Sequence, residues 1–201
     1  MANPIRPGIR RVAFLSTRIA GTDGVSLEIA KWAHVIERMG VECYYFAGQC
    51  DRPPQRTALI DHAHFNDPEV LDVSRRAFER LKLDALIAEN ALTLTMNLPL
   101  AIALVQTIQE VQVGCVAHHH DFYWERDRFV VNAVDDLIRY AFPPALPQIQ
   151  HVVINSPQGE EFSRRTGLSC RIIPNVMDFA NPPDPPDDYA RGFRAAVGLG
   201  E

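Results

Sequence analysis

The 201-residue chain has no long hydrophobic run. Its longest apolar stretch, around Leu98 to Val105, falls well short of the roughly 20 residues that span a bilayer. Peripheral membrane contact stays open; an integral segment is not expected. The opening, Met-Ala-Asn-Pro-Ile-Arg-Pro-Gly, lacks the apolar centre of a secretory signal. Basic charge is not in excess either. A formal net charge of -5 argues against a nucleic-acid partner, and Arg75-Arg76 and Arg164-Arg165 read as solvated helix faces. The four cysteines (Cys43, Cys50, Cys115, Cys170) show no C-x-x-C spacing, which favours free thiols in a reducing cytoplasm over disulfides or zinc. Also missing are G-x-G-x-x-G, a P-loop, a nucleophile elbow and H-E-x-x-H. A dinucleotide cofactor is therefore not expected.

What is present is ordinary globular composition, 47% apolar and 22% charged, arranged as β-rich runs alternating with helix-length segments. Strands are expected at 11–16, 41–46, 85–88, 113–117, 152–154 and 170–173. Between them, 25–39 places Val25, Ile29, Trp32 and Ile36 on one helical face, with Gly40 as a C-terminal stop. Further helices are expected from Asp67-Pro68 to about Leu81, at 98–111, at 127–141 before Pro143-Pro144, and from Pro157 to about Arg165. The segment from Cys50 to Phe65 reads as irregular or an edge hairpin. Continuous apolar strands separated by helices predict an α/β fold, a Rossmann-like doubly wound parallel sheet with helices on both faces. Residues 1–178 form that domain. Pro182-Pro-Asp-Pro-Pro186 reads as a stiff connector, and 179–201 as a linker and the start of a second unit.

Chemistry concentrates at the carboxyl ends of the expected strands. His118-His-His-Asp-Phe-Tyr-Trp-Glu-Arg126 follows a buried run, and nine such residues make better cleft lip than core. Successive side chains in an extended segment alternate in direction, so three adjacent imidazoles cannot converge on one ion. His118 and His120 share a side, and His62-Ala-His64 repeats that spacing; a composite metal site would need both pairs to meet, and none is expected. A His120-Asp121 pair suits hydrogen bonding to a sugar hydroxyl, with Asp121 orienting the ring or accepting a proton. Trp124 either contacts ligand or caps the core, and Glu125-Arg126 either contacts ligand or forms a local ion pair. Gly21-Thr-Asp-Gly24 either admits a ligand close to the backbone before a helix amino end or is a tight turn with Asp23 as cap. Glu89-Asn90, Asn155-Ser156 and Asn175 are turn formers individually and a candidate binding rim collectively.

In order along the chain, Gly21-Thr-Asp-Gly-Val-Ser26, His120-Asp-Phe-Tyr-Trp-Glu-Arg126, Val153-Ile-Asn-Ser156 and Ile173-Pro-Asn-Val-Met-Asp178 resemble the amino-terminal half of GT-B glycosyltransferases. The family in question is the large retaining family 4, which includes sucrose synthases and bacterial mannosyltransferases. Phe193-Arg-Ala-Ala-Val-Gly-Leu199 looks like its entry into a second domain. The resemblance implies two Rossmann-like domains across a cleft, the first binding a sugar or sugar-containing acceptor and the second a UDP- or GDP-sugar co-substrate, with no other cofactor. It maps the glycine-rich loop onto Gly21 and Gly24, and the family histidine near the transferred sugar onto His120, with His118 as the alternative register. The substrate rim would then comprise Gly21, Asp23, Gly24, Asn90, His118, Trp124, Arg126, Asn155 and Asn175, with His120 and Asp121 catalytic. The family's basic pair and E-x7-E motif belong to the second domain, so this segment alone is expected to be inactive. A GT-B-like UDP-sugar epimerase and a non-catalytic domain binding a sugar phosphate or protein partner are the competing expectations.

Overall fold

The computed structural model describes residues 8–60, 63, 81–177 and 197–198. The helix expected from Asp67, the His62/His64 pair and the proline-rich connector lie outside the described residues, as does most of the segment expected to begin a second unit. Within them the elements run β1 (Arg11–Leu15), β2 (Arg18–Ile19), α1 (Gly24–Arg38), β3 (Glu42–Ala47), β4 (Gln49–Cys50), β5 (Thr57–Leu59) and β6 (Ala85–Glu89). There follow α2 (Leu98–Val111), β7 (Gly114–His119), α3 (Asp127–Val130), α4 (Asp135–Ala141), β8 (Ile149–Val153), α5 (Ser156–Thr166) and β9 (Cys170–Ile172).

Seven strands form one sheet in the order β5-β3-β1-β6-β7-β8-β9, every neighbouring pair parallel. The chain steps outward from β1 to β5, then resumes at β6 on the other side of β1. That reversal leaves a crevice at the carboxyl ends of β1 and β6, where ligands of open α/β sheets bind.

Side-chain alternation builds a core on each face. Val12, Phe14, Cys43, Tyr45 and Ile87 point to the face that α1 covers through Ile29 and Ala33. Ala13, Leu15, Leu86, Ala88, Cys115 and Ala117 point to the other, covered by α2 and by Ile138 of α4. Leu100, Leu104 and Ile108 of α2 are fully buried, each contributing about 2 kcal/mol of apolar burial. The doubly wound parallel sheet read from the sequence is the fold observed. Gly40, at φ 83°, follows the end of α1 and donates to the Glu37 carbonyl, the left-handed stop its position predicted.

Three expectations are corrected. In the described part of the 50–65 segment, residues 51–53 are irregular as one alternative had it, but 57–59 form the parallel edge strand β5 where the other expected a hairpin; three half-exposed residues with one neighbouring strand carry too little pattern to read. The helix expected over 127–141 is two, because the Asn132 side chain accepts from Val134 N (3.0 Å) and turns the chain between them. Finally, β7 continues through His119, so the first two histidines stand inside the sheet instead of in the loop beyond it.

Candidate functional site

The parallel register brings the predicted rim to one edge of the sheet. The β1–α1 turn, Asn90 after β6, His120 after β7 and Asn155 after β8 all follow carboxyl ends of neighbouring strands. A cleft of about 220 Å3 opens at the β1/β6 crevice, lined among others by Ser16, Arg18, Asp23, Asn90 and Asn97. The larger concavity, about 670 Å3 at Arg10, Arg11, Glu42, Lys82 and Asp84, lies at the opposite, amino edge. Its groups are largely spent on each other: Arg11 pairs with Glu42 at 2.8 Å, and Asp84 accepts from the backbone N–H groups of Arg10 and Arg11.

In the β1–α1 turn, Asp23 is the N-cap of α1. Its Oδ1 accepts from Val25 N and Ser26 N, both at 3.1 Å, while Oδ2 takes the Ser26 hydroxyl and the Arg18 guanidinium. Burial pushes the carboxyl up, but the Arg18 and Ser26 hydrogen bonds outweigh it and hold the pKa below the ordinary value. Gly21 has φ 77° and donates to Asp51 Oδ2 at 2.8 Å. Among the described residues no atom beyond the local backbone and immediate chain neighbours lies within 4 Å of a Cβ built on Gly21 or Gly24, so it is the positive φ of Gly21, and not close packing, that favours glycine there.

The centre of the site is Glu89. Register pairs Glu89 of β6 directly with His118 of β7, so the two meet on the α1 face. Glu89 Oε2 receives His118 Nδ1 at 2.9 Å and His120 Nε2 at 3.3 Å; Glu89 and His118 are completely buried. Burial raises the Glu89 carboxyl, yet the hydrogen bonds and charge of the two imidazoles prevail and leave its pKa lowered. His118 stacks on Trp32 of α1 at 4.6 Å, and the Trp32 indole N–H donates to Glu28 Oε1 at 3.1 Å. The expectation of a solvent-facing polar lip is therefore corrected for His118 and His119, both wholly enclosed. His120, with its side chain 10% exposed, is the histidine left at the surface.

His119, on the other side of β7, serves the core. Its Nδ1 meets the Thr93 hydroxyl at 2.7 Å, its Nε2 meets His151 Nδ1 at 2.9 Å, and His151 Nε2 donates to the Pro144 carbonyl at 3.2 Å. Burial lowers both rings, His119 well below the ordinary value and His151 to about 4.

Asn90, in the left-handed region at φ 55°, latches β6 to the loop: its Oδ1 accepts from His120 N at 3.0 Å. Asn155 caps α5 through Gln158 N (2.8 Å), and buried Gln158 donates to the His120 carbonyl at 3.1 Å. Asn175 Nδ2 reaches His120 Nδ1 at 3.4 Å. Trp124 stacks on Phe122 at 4.4 Å, the core-capping alternative. The expected Glu125–Arg126 pair is not the one formed: Arg126 pairs with Asp121 at 2.6 Å, and Glu125 accepts from Phe122 N instead. His120, Asn90, Gln158 and Asn175 thus form one cluster, and Asn90 shares the cleft lining with the Arg18–Asp23 pair.

Sequence reading missed Glu89 as a partner, together with Arg18, Trp32 and Gln158. A carboxylate ending an otherwise apolar strand was the available signal for Glu89. One ligand atom from each of Glu89, His118 and His120 lies within 4.8 Å of the others, a spacing a divalent ion could use. Imidazoles that bind metals normally donate their far N–H to an acceptor, whereas buried His118 Nε2 has no partner. The donor set therefore suits protons better than a metal. Among the described residues, no helix is long and apolar enough to cross a membrane.

No protein-family model matches the chain. It is similar to the mannosylglucosylglycerate synthase of Petrotoga mobilis, 31% identical over 89% of this chain and 47% of that protein. It is also similar to the mannosylglucosylglycerate synthase of Thermotoga maritima, 28% identical over 90% of this chain and 48% of that protein. The chain spans about half the length of these curated relatives. Both are glycosyltransferases.

Proposed function

We propose that this chain is the acceptor-side domain of a nucleotide-sugar-dependent glycosyltransferase of GT-B architecture. The observation that carries the reading is the β1/β6 cleft lined by the Arg18–Asp23 pair and Asn90, with the Glu89-supported His120 tied to Asn90 through its backbone N–H. Carboxylate, guanidinium, amide and imidazole groups together suit a molecule dense in hydroxyls. The relatives' product joins mannosyl, glucosyl and glycerate parts, so the acceptor proposed here is a glucosylglycerate-type glycoside and the donor a nucleotide-activated hexose, UDP- or GDP-linked.

In this reading the crevice orients the acceptor hydroxyl, and closure with a carboxy-terminal domain brings it beside the anomeric carbon and excludes water. His120 contacts a sugar hydroxyl, and Asp121, paired with Arg126, stands beside it. Retention of configuration follows from the resemblance, and no side chain here is assigned as a covalent nucleophile. The donor diphosphate would be held by the second domain, which is why this segment alone is proposed to be inactive. A cytoplasmic location fits nucleotide-sugar chemistry.

Saturation-transfer NMR tests the reading. Glucosylglycerate should receive saturation from the 201-residue chain, while GDP-mannose and UDP-glucose should receive little. Tight nucleotide-sugar binding by this chain alone would favour an epimerase-like site, and binding of neither ligand would remove the transferase reading.

A further inference from the structure

We propose that Glu89 fixes the hydrogen-bonding polarity of His120, so that the ring presents a bare Nδ1 to the rim and the site selects a ligand group that donates a proton, a sugar hydroxyl, over a phosphate oxygen. The inference rests on the acceptor-site reading for the identity of the ligand, but its tautomer component stands on the geometry alone.

Glu89 Oε2 faces two ring nitrogens, His118 Nδ1 at 2.9 Å and His120 Nε2 at 3.3 Å. A carboxylate oxygen only accepts, so each facing nitrogen must carry a hydrogen. In a neutral ring the other nitrogen then carries none, so His118 Nε2 is a bare lone pair. That position is buried and unpartnered, and an N–H stranded there would be the costlier arrangement. For His120 the same logic leaves Nδ1 bare, and the group beside it among the described residues is a donor, Asn175 Nδ2 at 3.4 Å. The contact is long and Asn175 is exposed, so a ligand hydroxyl can replace it.

The charge beneath the ring works in the same direction. Glu89 is wholly buried and its second oxygen, Oε1, has no hydrogen-bond partner, so its negative charge leans on the hydrogen bonds from the two imidazoles. A phosphate at His120 would meet a lone pair in front and that carboxylate behind. A neutral hydroxyl meets an acceptor and no opposing charge. Gln158 and Asn90 hold the backbone on either side of the ring, through the His120 carbonyl (3.1 Å) and His120 N (3.0 Å), so the choice of tautomer is transmitted to a fixed position. Glu89 is accordingly a positioning residue for His120.

The direct test is long-range 1H–15N NMR of protein labelled at histidine, at pH 8, with His120→Asn to assign the resonance. The account predicts a pyridine-type Nδ1 and a pyrrole-type Nε2 for His120; the opposite pattern would overturn it. In Glu89→Gln the preference should be lost, giving averaged shifts. If that variant is unfolded by circular dichroism, Glu89→Asp serves, with a partial loss expected. An unchanged His120 pattern in a folded variant would also overturn the assignment. Addition of glucosylglycerate should move Nδ1 by an order of magnitude more than equimolar inorganic phosphate; a larger phosphate response would refute the selectivity. Failure of glucosylglycerate to bind at all, with the tautomer as predicted, would refute the acceptor reading and leave Glu89's positioning role intact.

Discussion

Acidification from pH 8 to 5 should destabilise this domain through His119 and His151, before buried Glu89 or the capping Asp23 contributes. The Pro144 carbonyl only accepts, so His151 Nε2 carries its hydrogen and Nδ1 is bare. That Nδ1 takes the hydrogen of His119 Nε2, and His119 Nδ1 in turn takes the Thr93 hydroxyl. Protonating His151 would set N–H against N–H across 2.9 Å. Burial makes the folded state resist protonation, and this bonding pattern works the same way: His151 falls from 6.5 to about 4, and His119 is lowered too. The unfolded chain takes up protons as pH drops through 6.5 while the folded one does not. Stability is thus whole above 6.5 and is lost as pH falls toward about 4. The His151 shift is worth about 3 kcal/mol in full and about 2 kcal/mol by pH 5, a large part of a typical domain's 5–15 kcal/mol. Glu89 and Asp23 are depressed from ordinary values of 4.5 and 3.8, so their losses fall at lower pH and do not obscure the window. Urea unfolding at pH 8, 7, 6 and 5 measures it. His151→Phe should cost about 1–3 kcal/mol at pH 8, because His119 Nε2–H loses its acceptor, but it should flatten the pH dependence. Stability constant from pH 7 to 5, or an equal slope in the variant, would refute the reasoning.

Other substitutions probe separate parts of the account. Asn155→Ala removes the α5 cap and should cost about 1 kcal/mol in urea unfolding. Phe162→Ala empties the enclosed cluster with Phe122 and His151 and should cost about 3–5 kcal/mol, read as a fall in urea midpoint. Gly159→Ala should be neutral or stabilising by up to about 1 kcal/mol, since its Cβ would meet Cys170 Sγ and Val153 Cγ2 at 3.4 Å, ordinary contact, and a helix interior favours alanine. Arg126→Ala removes a largely exposed pair with Asp121 and should change stability by less than about 1 kcal/mol; a larger loss by thermal melt would mean the pair holds the loop.

The sheet was legible because burial on both faces writes itself as unbroken apolar runs, as in Val-Ala-Phe-Leu of β1 and Ala-Leu-Ile-Ala of β6. The cap read at Asp23 does bond the Val25 and Ser26 N–H groups, whereas Asn155, read as a turn former, turns out to cap α5 through Gln158 N. The edge strand β5 escaped, since its order comes from pairing with β3 and not from its own pattern. The site was half legible. Period-two alternation separates His118 and His120 from His119, and the rings of the first two do lie 4.7 Å apart. What alternation cannot supply is register between β6 and β7, and register is what sets Glu89 against His118. The same gap hid Gln158, whose contact with the His120 carbonyl spans 38 residues of sequence.

The central claim, that the carboxyl edge at the β1/β6 crevice receives a sugar acceptor, is tested most directly by titrating glucosylglycerate into uniformly 15N-labelled protein. The account predicts saturable shifts concentrated at Arg18, Asn90 and His120. Shifts centred on Arg11, Glu42 and Lys82 at the opposite edge, or none at saturating ligand, would contradict it.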